Sequence, residues 1–200
     1  TLQSFGQISK IQHALLLFNT DSLVNYTKVL TGLKGANETD TIKIRLSASA
    51  GNELAFQYAK QLFQNWNLQV DSHQFSINGK NLIATKKGTK SSKYILLGAH
   101  YDAVGTSNPI FHYPGADDNA SGTSAVLEAA RIISQFNFPF TIKFALWDEE
   151  EQGLLGSRAT GPPDDPRDFM GYINLDMIAW DGNNDSLMEI HTRDIANSNS

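Results

Sequence analysis

Four acids stand consecutively at Asp148, Glu149, Glu150 and Glu151, directly after the apolar run Thr141 to Trp147 and before the small-residue turn Gly153 to Ser157. Carboxylates gathered at the end of a buried strand are costly unless a cation neutralises them. The chemistry they ask for is metal binding. Further candidates follow two other apolar runs: His100 and Asp102 after Tyr94 to Gly98, and Asp176 at the end of Tyr172 to Asp176. A doubled acid, Asp117-Asp118, opens an apolar helix pattern. In a His-x-Asp unit the histidine can take a metal while the aspartate accepts the other ring N–H and fixes the tautomer. Singly, each motif has a plainer explanation. Paired acids cap helix amides and complement the helix dipole, a strand-end aspartate is common, and a run of acids is often a solvated turn. Convergence separates the readings, because sites in open α/β sheets form at the carboxyl ends of strands.

The elements that must position these groups are readable from periodicity. Leu23, Tyr26, Val29 and Leu30 form a helical stripe after a cap at Thr20-Asp21, and Ser49 to Asn65 carries a second one. Leu68 to Ile77 alternates and Asn81 to Thr85 reads as its neighbouring strand; Tyr94 to Gly98 is a continuous apolar run of the buried central kind. Asn119 to Phe136 is a strong helix, Thr141 to Trp147 the next strand, and Leu187 to His191 a possible last one. Residues 101–115 and the Pro-rich stretch 161–166 read as loops. Helices alternating with apolar strands imply an α/β sheet covered on both faces.

Composition bounds the function. The 200 residues, 40% hydrophobic and 18% charged, suffice for a single domain with a substantial core. The net charge of -5 and scattered Lys and Arg give no basic footprint for nucleic acid. No apolar stretch approaches the roughly 18 residues of a membrane span. With no Cys, any metal must rest on His, Asp and Glu. The chain opens at Thr1 without a signal-peptide pattern, as expected of a processed or trimmed form. Four glycosylation sequons, beginning at Asn25, Asn37, Asn119 and Asn184, are what chance produces in a chain this rich in Asn, Ser and Thr.

Taken together, GAHYDAV (98–104), PGADDNASG (114–122), EEQGLLGS (150–157) and NLDM (174–177) resemble the zinc-dependent exopeptidases of the bacterial leucyl aminopeptidase type. That family also contains glutamate carboxypeptidase, glutaminyl cyclase and the transferrin receptor ectodomain. The resemblance implies a three-layer α/β/α sandwich with a mixed, mainly parallel sheet. It implies two zinc ions, with His100 and Asp176 on the first, Asp117 bridging, and Glu151 on the second. Asp102 would orient His100, Asp118 would follow Asp117 across a cis peptide, and Glu150 would be the general base. The Gly-Leu-x-Gly-Ser that follows selects Glu150 and Glu151 from the run; a slip by one would select Glu149 and Glu150. Asp148 and Glu149 receive no role.

One departure stands out. The family's second zinc takes a final histidine from a later segment, whereas this sequence stops at Ser200. The expectation is therefore a single catalytic domain over 1–200 with its C-terminal part missing, a helical lead-in over 1–47, and a sixth site residue beyond Ser200. His191 is a weaker substitute. The implied activity is hydrolysis of N-terminal peptide bonds in a peptide substrate, in an exported protein by family habit. The alternatives are a carboxypeptidase, a glutaminyl cyclase, or a receptor-like binding module without chemistry.

Overall fold

The computed structural model describes residues 2–105, 113–160, 167–185, 187 and 190–191, with side chains from residue 9 onward. Three helices come first: α1 (Leu2–Leu16), α2 (Thr20–Leu30) and α3 (Ala50–Asn65). Side-chain oxygens satisfy the opening amides of the second and third, Asn19 accepting from Ser22 N at 3.0 Å and Ser49 from Asn52 N at 3.0 Å. The cap of α2 is thus Asn19 rather than Thr20-Asp21.

Five strands form one mixed sheet: β1 (Gln69–Gln74), β2 (Lys80–Lys86), β3 (Tyr94–His100), β4 (Thr141–Trp147) and β5 (Phe169–Asn174), in spatial order β1-β2-β4-β3-β5. β3 pairs parallel with β4 and with β5, while β2 runs antiparallel to both β1 and β4. All strands but β2 therefore point the same way, which makes the sheet mixed and mainly parallel, as the family resemblance implies. β4 has the bounds read from its apolar run. β5 starts at Phe169 and ends before Asp176, which leaves that aspartate in the loop beyond the strand.

Between β3 and β4 the chain passes through a π-helical turn (Ala116–Ser121) into α4 (Gly122–Ile133), so the helix expected over Asn119 to Phe136 comes in two pieces, the first opening at Ala116 and the regular α-helix running only from Gly122 to Ile133. The short α5 (Leu155–Ala159) replaces the turn expected at Gly153 to Ser157. Helices α3 and α4 pack on the sheet and α2 packs on α4, enclosing a core in which Phe63, Leu82, Leu127, Phe144 and Leu146 are fully buried. Phe63 stacks on Phe144 across the helix–sheet boundary. No helix among the described residues is long and apolar enough to cross a membrane. The possible strand at 187–191, the centre of the 101–115 loop and the 161–166 loop contain positions outside the described residues.

The topology places the site. From β3 the chain crosses to β4 on one side, then passes back over β3 to β5 on the other. The carboxyl end of β3 is therefore a switch point where loops diverge and leave a crevice. His100, the last residue of β3, stands there, in register with Trp147 at the end of β4.

Candidate metal centre

His100 is 3% exposed, and its two ring nitrogens are buried without a hydrogen-bond partner. Such orphaned buried nitrogens are rare in native structures and call for an explanation. Carboxylates stand close to both. Nε2 lies 3.1 Å from Asp118 Oδ1 and 3.5 Å from Asp176 Oδ1, and Nδ1 lies 3.4 Å from Asp102 Oδ1. Two sets of side chains bring ligand atoms within 4.8 Å of one another: His100, Asp118 and Asp176, and His100, Glu150 and Glu151. Nitrogen and oxygen donors of this kind suit zinc, with no thiolate required. The orphaned nitrogen facing two acids is the geometry a ligating imidazole keeps, so these residues fit the metal.

Asp102 is fully buried and ties the set together. Its Oδ1 accepts from Glu150 N and its Oδ2 from Glu151 N, both at 3.2 Å, while it also faces His100 Nδ1. One carboxylate thus fixes the histidine ring and the backbone carrying the two glutamates. Glu151 Oε1 accepts from Val104 N at 3.0 Å. Burial raises both glutamates above the ordinary carboxylate range. Asp102, Asp176 and Asp118 add to it at Glu150, Asp118 and Asp102 at Glu151, and His100 opposes at both.

Burial alone would depress His100, but Asp102 and Asp176 outweigh it and hold the imidazole up to about 10. At neutral pH the metal-free site therefore carries a proton that a metal must displace. A histidine raised in the folded state contributes stability that is complete below its unfolded value of about 6.5 and is lost as pH climbs through about 10. Thermal midpoints of chelator-treated protein should fall across that window, and His100→Gln should flatten this part of the profile. A wild-type profile already flat there would count against the charged imidazole.

Asp117, expected to bridge the ions, joins neither set. Its Oδ1 accepts from Ala179 N at 2.8 Å and its backbone carbonyl from Ser121 Oγ at 2.7 Å, so it anchors the segment after β5. Asp118 is the acid turned toward His100, and the cis peptide lies one residue later than expected, between Asp118 and Asn119. The cause is local: Asp118 and Asn119 have non-helical backbone angles inside the π turn, so consecutive acids face different ways. Gly115, at φ +53, opens that turn; a Cβ there would lie 2.5 Å from Asp118 O and 2.7 Å from Ala103 Cβ.

The acids left without a role have one. Asp148 is fully buried and accepts from Asn52 Nδ2 at 2.9 Å and Lys80 N at 3.0 Å, with Tyr101 Oη at 2.9 Å. Glu149 Oε1 accepts from Ser47 Oγ at 2.8 Å and Ser76 Oγ at 3.1 Å. They fasten the end of β4 to α3, to β2 and to the loops beside them, so that only Glu150 and Glu151 reach the crevice. Gly156 secures the register: a Cβ there would lie 2.2 Å from Asp148 O. His191 lines a cleft of ≈ 720 Å³ with Asp176, Met177, Ile178 and Trp180, but belongs to neither ligand set.

With this geometry in view, the likeness to known proteins is specific. Residues 81–199 match the profile of peptidase family M28. Leucine aminopeptidase 1 of Paracoccidioides brasiliensis is 28% identical over 186 residues, which cover 89% of this chain and 45% of the relative. The chain thus spans about half the length of the curated relative it matches. The fold is shared with a Zn-dependent exopeptidase from Parabacteroides distasonis (TM-score 0.63, 23% identity, covering 80% of this chain and 62% of that one). It is shared equally with the glutaminyl cyclase of Porphyromonas gingivalis (TM-score 0.66, 21% identity, covering 81% and 62%).

Proposed function

The chain belongs to peptidase family M28, and on that premise we propose that it carries most of the active site of a dizinc aminopeptidase, which hydrolyses the N-terminal peptide bond of a peptide. The observation that carries this reading is His100, whose buried nitrogens have carboxylates and no hydrogen-bond partner around them. His100, Asp118 and Asp176 would hold one ion, and Glu151 with Asp118 the other. Zinc so held lowers the pKa of water and polarises a carbonyl. Glu150 also stands in the second ligand set beside Glu151; left out of the coordination, it would take the proton from the attacking water and deliver it to the leaving amine. Asp102 keeps His100 and the Glu150 backbone in fixed relation throughout.

The charge balance supports a neutral substrate. Ligating carboxylates offset most of the charge of two divalent ions, and a carboxypeptidase needs an additional cation for the substrate's terminal carboxylate. Arg45, a cation near the site, is buried and spends its hydrogen bonds on backbone carbonyls.

Metal analysis of the whole protein, combined with incubation on aminoacyl anilides and on a peptide with N-terminal glutamine, tests the proposal. Two zinc ions per chain with anilide release support it. One zinc ion with ammonia release and a cyclised glutamine would instead assign a glutaminyl cyclase. Absence of stoichiometric metal would leave a binding module.

A further inference from the structure

We propose that Arg45 is a positioning residue for the metal centre, a fixed internal cation and backbone clamp that holds His100, Asp102 and Asp118 in register before any metal arrives. The inference rests on the zinc-site reading above and extends it to a residue outside the stretch that matches the family profile.

Arg45 is 1% exposed and lies in the segment between α2 and α3. Its Nε donates to Tyr101 O at 2.7 Å, Nη1 to Leu30 O and Pro114 O at 2.7 Å each, and Nη2 to Gly115 O at 2.9 Å. Tyr101 follows the ligand His100 directly, and Pro114 and Gly115 open the turn that carries Asp118. One planar group therefore grips both ends of the loop between these two ligands. A lysine ammonium, with a single nitrogen, cannot reproduce such a fork. Arg45 also holds the loop through its own backbone: Ala103 N donates to Arg45 O at 3.3 Å, and Asn52 Nδ2 donates to both Arg45 O and Asp148 Oδ1.

None of these bonds goes to a carboxylate, yet a buried guanidinium is costly without negative charge nearby. The compensation comes from the site itself. Burial lowers the group to about 10, while Asp102, Asp118 and Glu151 pull it upward, so it stays charged at neutral pH. The attraction is mutual: Arg45 offsets the repulsion among acids that would otherwise spread apart in the absence of zinc. The space leaves no slack, since a Cβ on Gly115 would lie 2.8 Å from Nη2.

The test compares Arg45→Met and Arg45→Lys in the whole protein by zinc affinity against a chromophoric chelator, by the visible spectrum of the cobalt(II)-substituted protein, and by thermal midpoint. Arg45→Met should weaken zinc at least about 10-fold, the scale of losing an outer partner of a metal site, and should alter the cobalt spectrum. Arg45→Lys, which keeps charge but loses the fork, should fall between Met and wild type. Folded Arg45→Met with unchanged zinc affinity and cobalt spectrum overturns the proposal, whatever its thermal midpoint. If neither variant folds, hydrogen exchange on wild type decides. Amides of residues 99–103 and 115–121 should stay protected after chelation, and loss of that protection overturns the clamp. Wild type that binds no zinc defeats the functional reading itself, an outcome distinct from wild type and Arg45→Met binding zinc equally well.

Discussion

Glu150→Gln is expected to lower turnover of an aminoacyl anilide by roughly 10²- to 10⁴-fold, the usual contribution of a positioned general base, while zinc content stays at the wild-type level. The substitution preserves shape and leaves the backbone bond from Glu150 N to Asp102 Oδ1 in place, so what it removes is the capacity to take a proton. Burial raises Glu150 above the ordinary carboxylate range, with Asp102, Asp176 and Asp118 adding to the effect. That moves its proton affinity toward neutral pH, where a base is most effective. Glu149→Gln is the matched control for the register. It disturbs the contacts to Ser47 and Ser76 and should be read in the thermal midpoint, with turnover per folded molecule nearly intact. Parallel kinetics and metal analysis of the two variants would decide, and a Glu150→Gln enzyme with wild-type turnover would remove Glu150 from the mechanism.

The second large effect separates two adjacent acids. Asp118→Asn should strip at least one zinc ion and with it the activity, a loss exceeding the roughly 10- to 100-fold that removal of an outer-shell partner costs. Asp118 Oδ1 lies 3.1 Å from His100 Nε2, and the amide substitution replaces a charged donor atom with a weak one. Asp117→Asn keeps an oxygen that can accept from Ala179 N, so it should retain metal and cost about 1 kcal/mol of stability at most. Atomic absorption on the two dialysed variants, with denaturant melts, distinguishes them. Equal metal loss in both would mean that the bridging position had been assigned to the wrong member of the pair.

That pair also marks where the sequence stopped being informative. The strands that end in acids were legible because apolar runs have a length and a period, and β4 occupies the residues its run predicted. The convergence of His100, Glu150, Glu151 and Asp176 followed from placing those runs in one sheet. Choosing between Asp117 and Asp118 could not follow, because a non-helical turn decides which neighbour faces inward, and spacing carries no record of backbone angles. Asp148 and Glu149 went unread for a related reason: their partners Asn52, Ser47 and Ser76 are polar residues that resemble any surface loop. Arg45 was hidden more deeply. In Thr41 to Leu46 it alternates with Ile42 and Ile44 beside the exposed Lys43, which is the pattern of an outward-facing side chain. Its hydrogen bonds go to carbonyls, and every residue has one.

The path of the chain through the sheet has a consequence for the order in which the molecule assembles. β3, α4 and β4 form one parallel crossover unit that brings His100, Asp118, Glu150 and Glu151 to the same end of the sheet. Asp176 joins only when the later segment has passed over β3 and docked as β5 on its far edge. Contacts between residues distant in the chain form slowly, since loop closure must precede them. Without β5 in place the centre keeps His100, Asp118, Glu150 and Glu151 but lacks Asp176, and so is missing one of its candidate ligands. Tight metal uptake then reports the completion of folding.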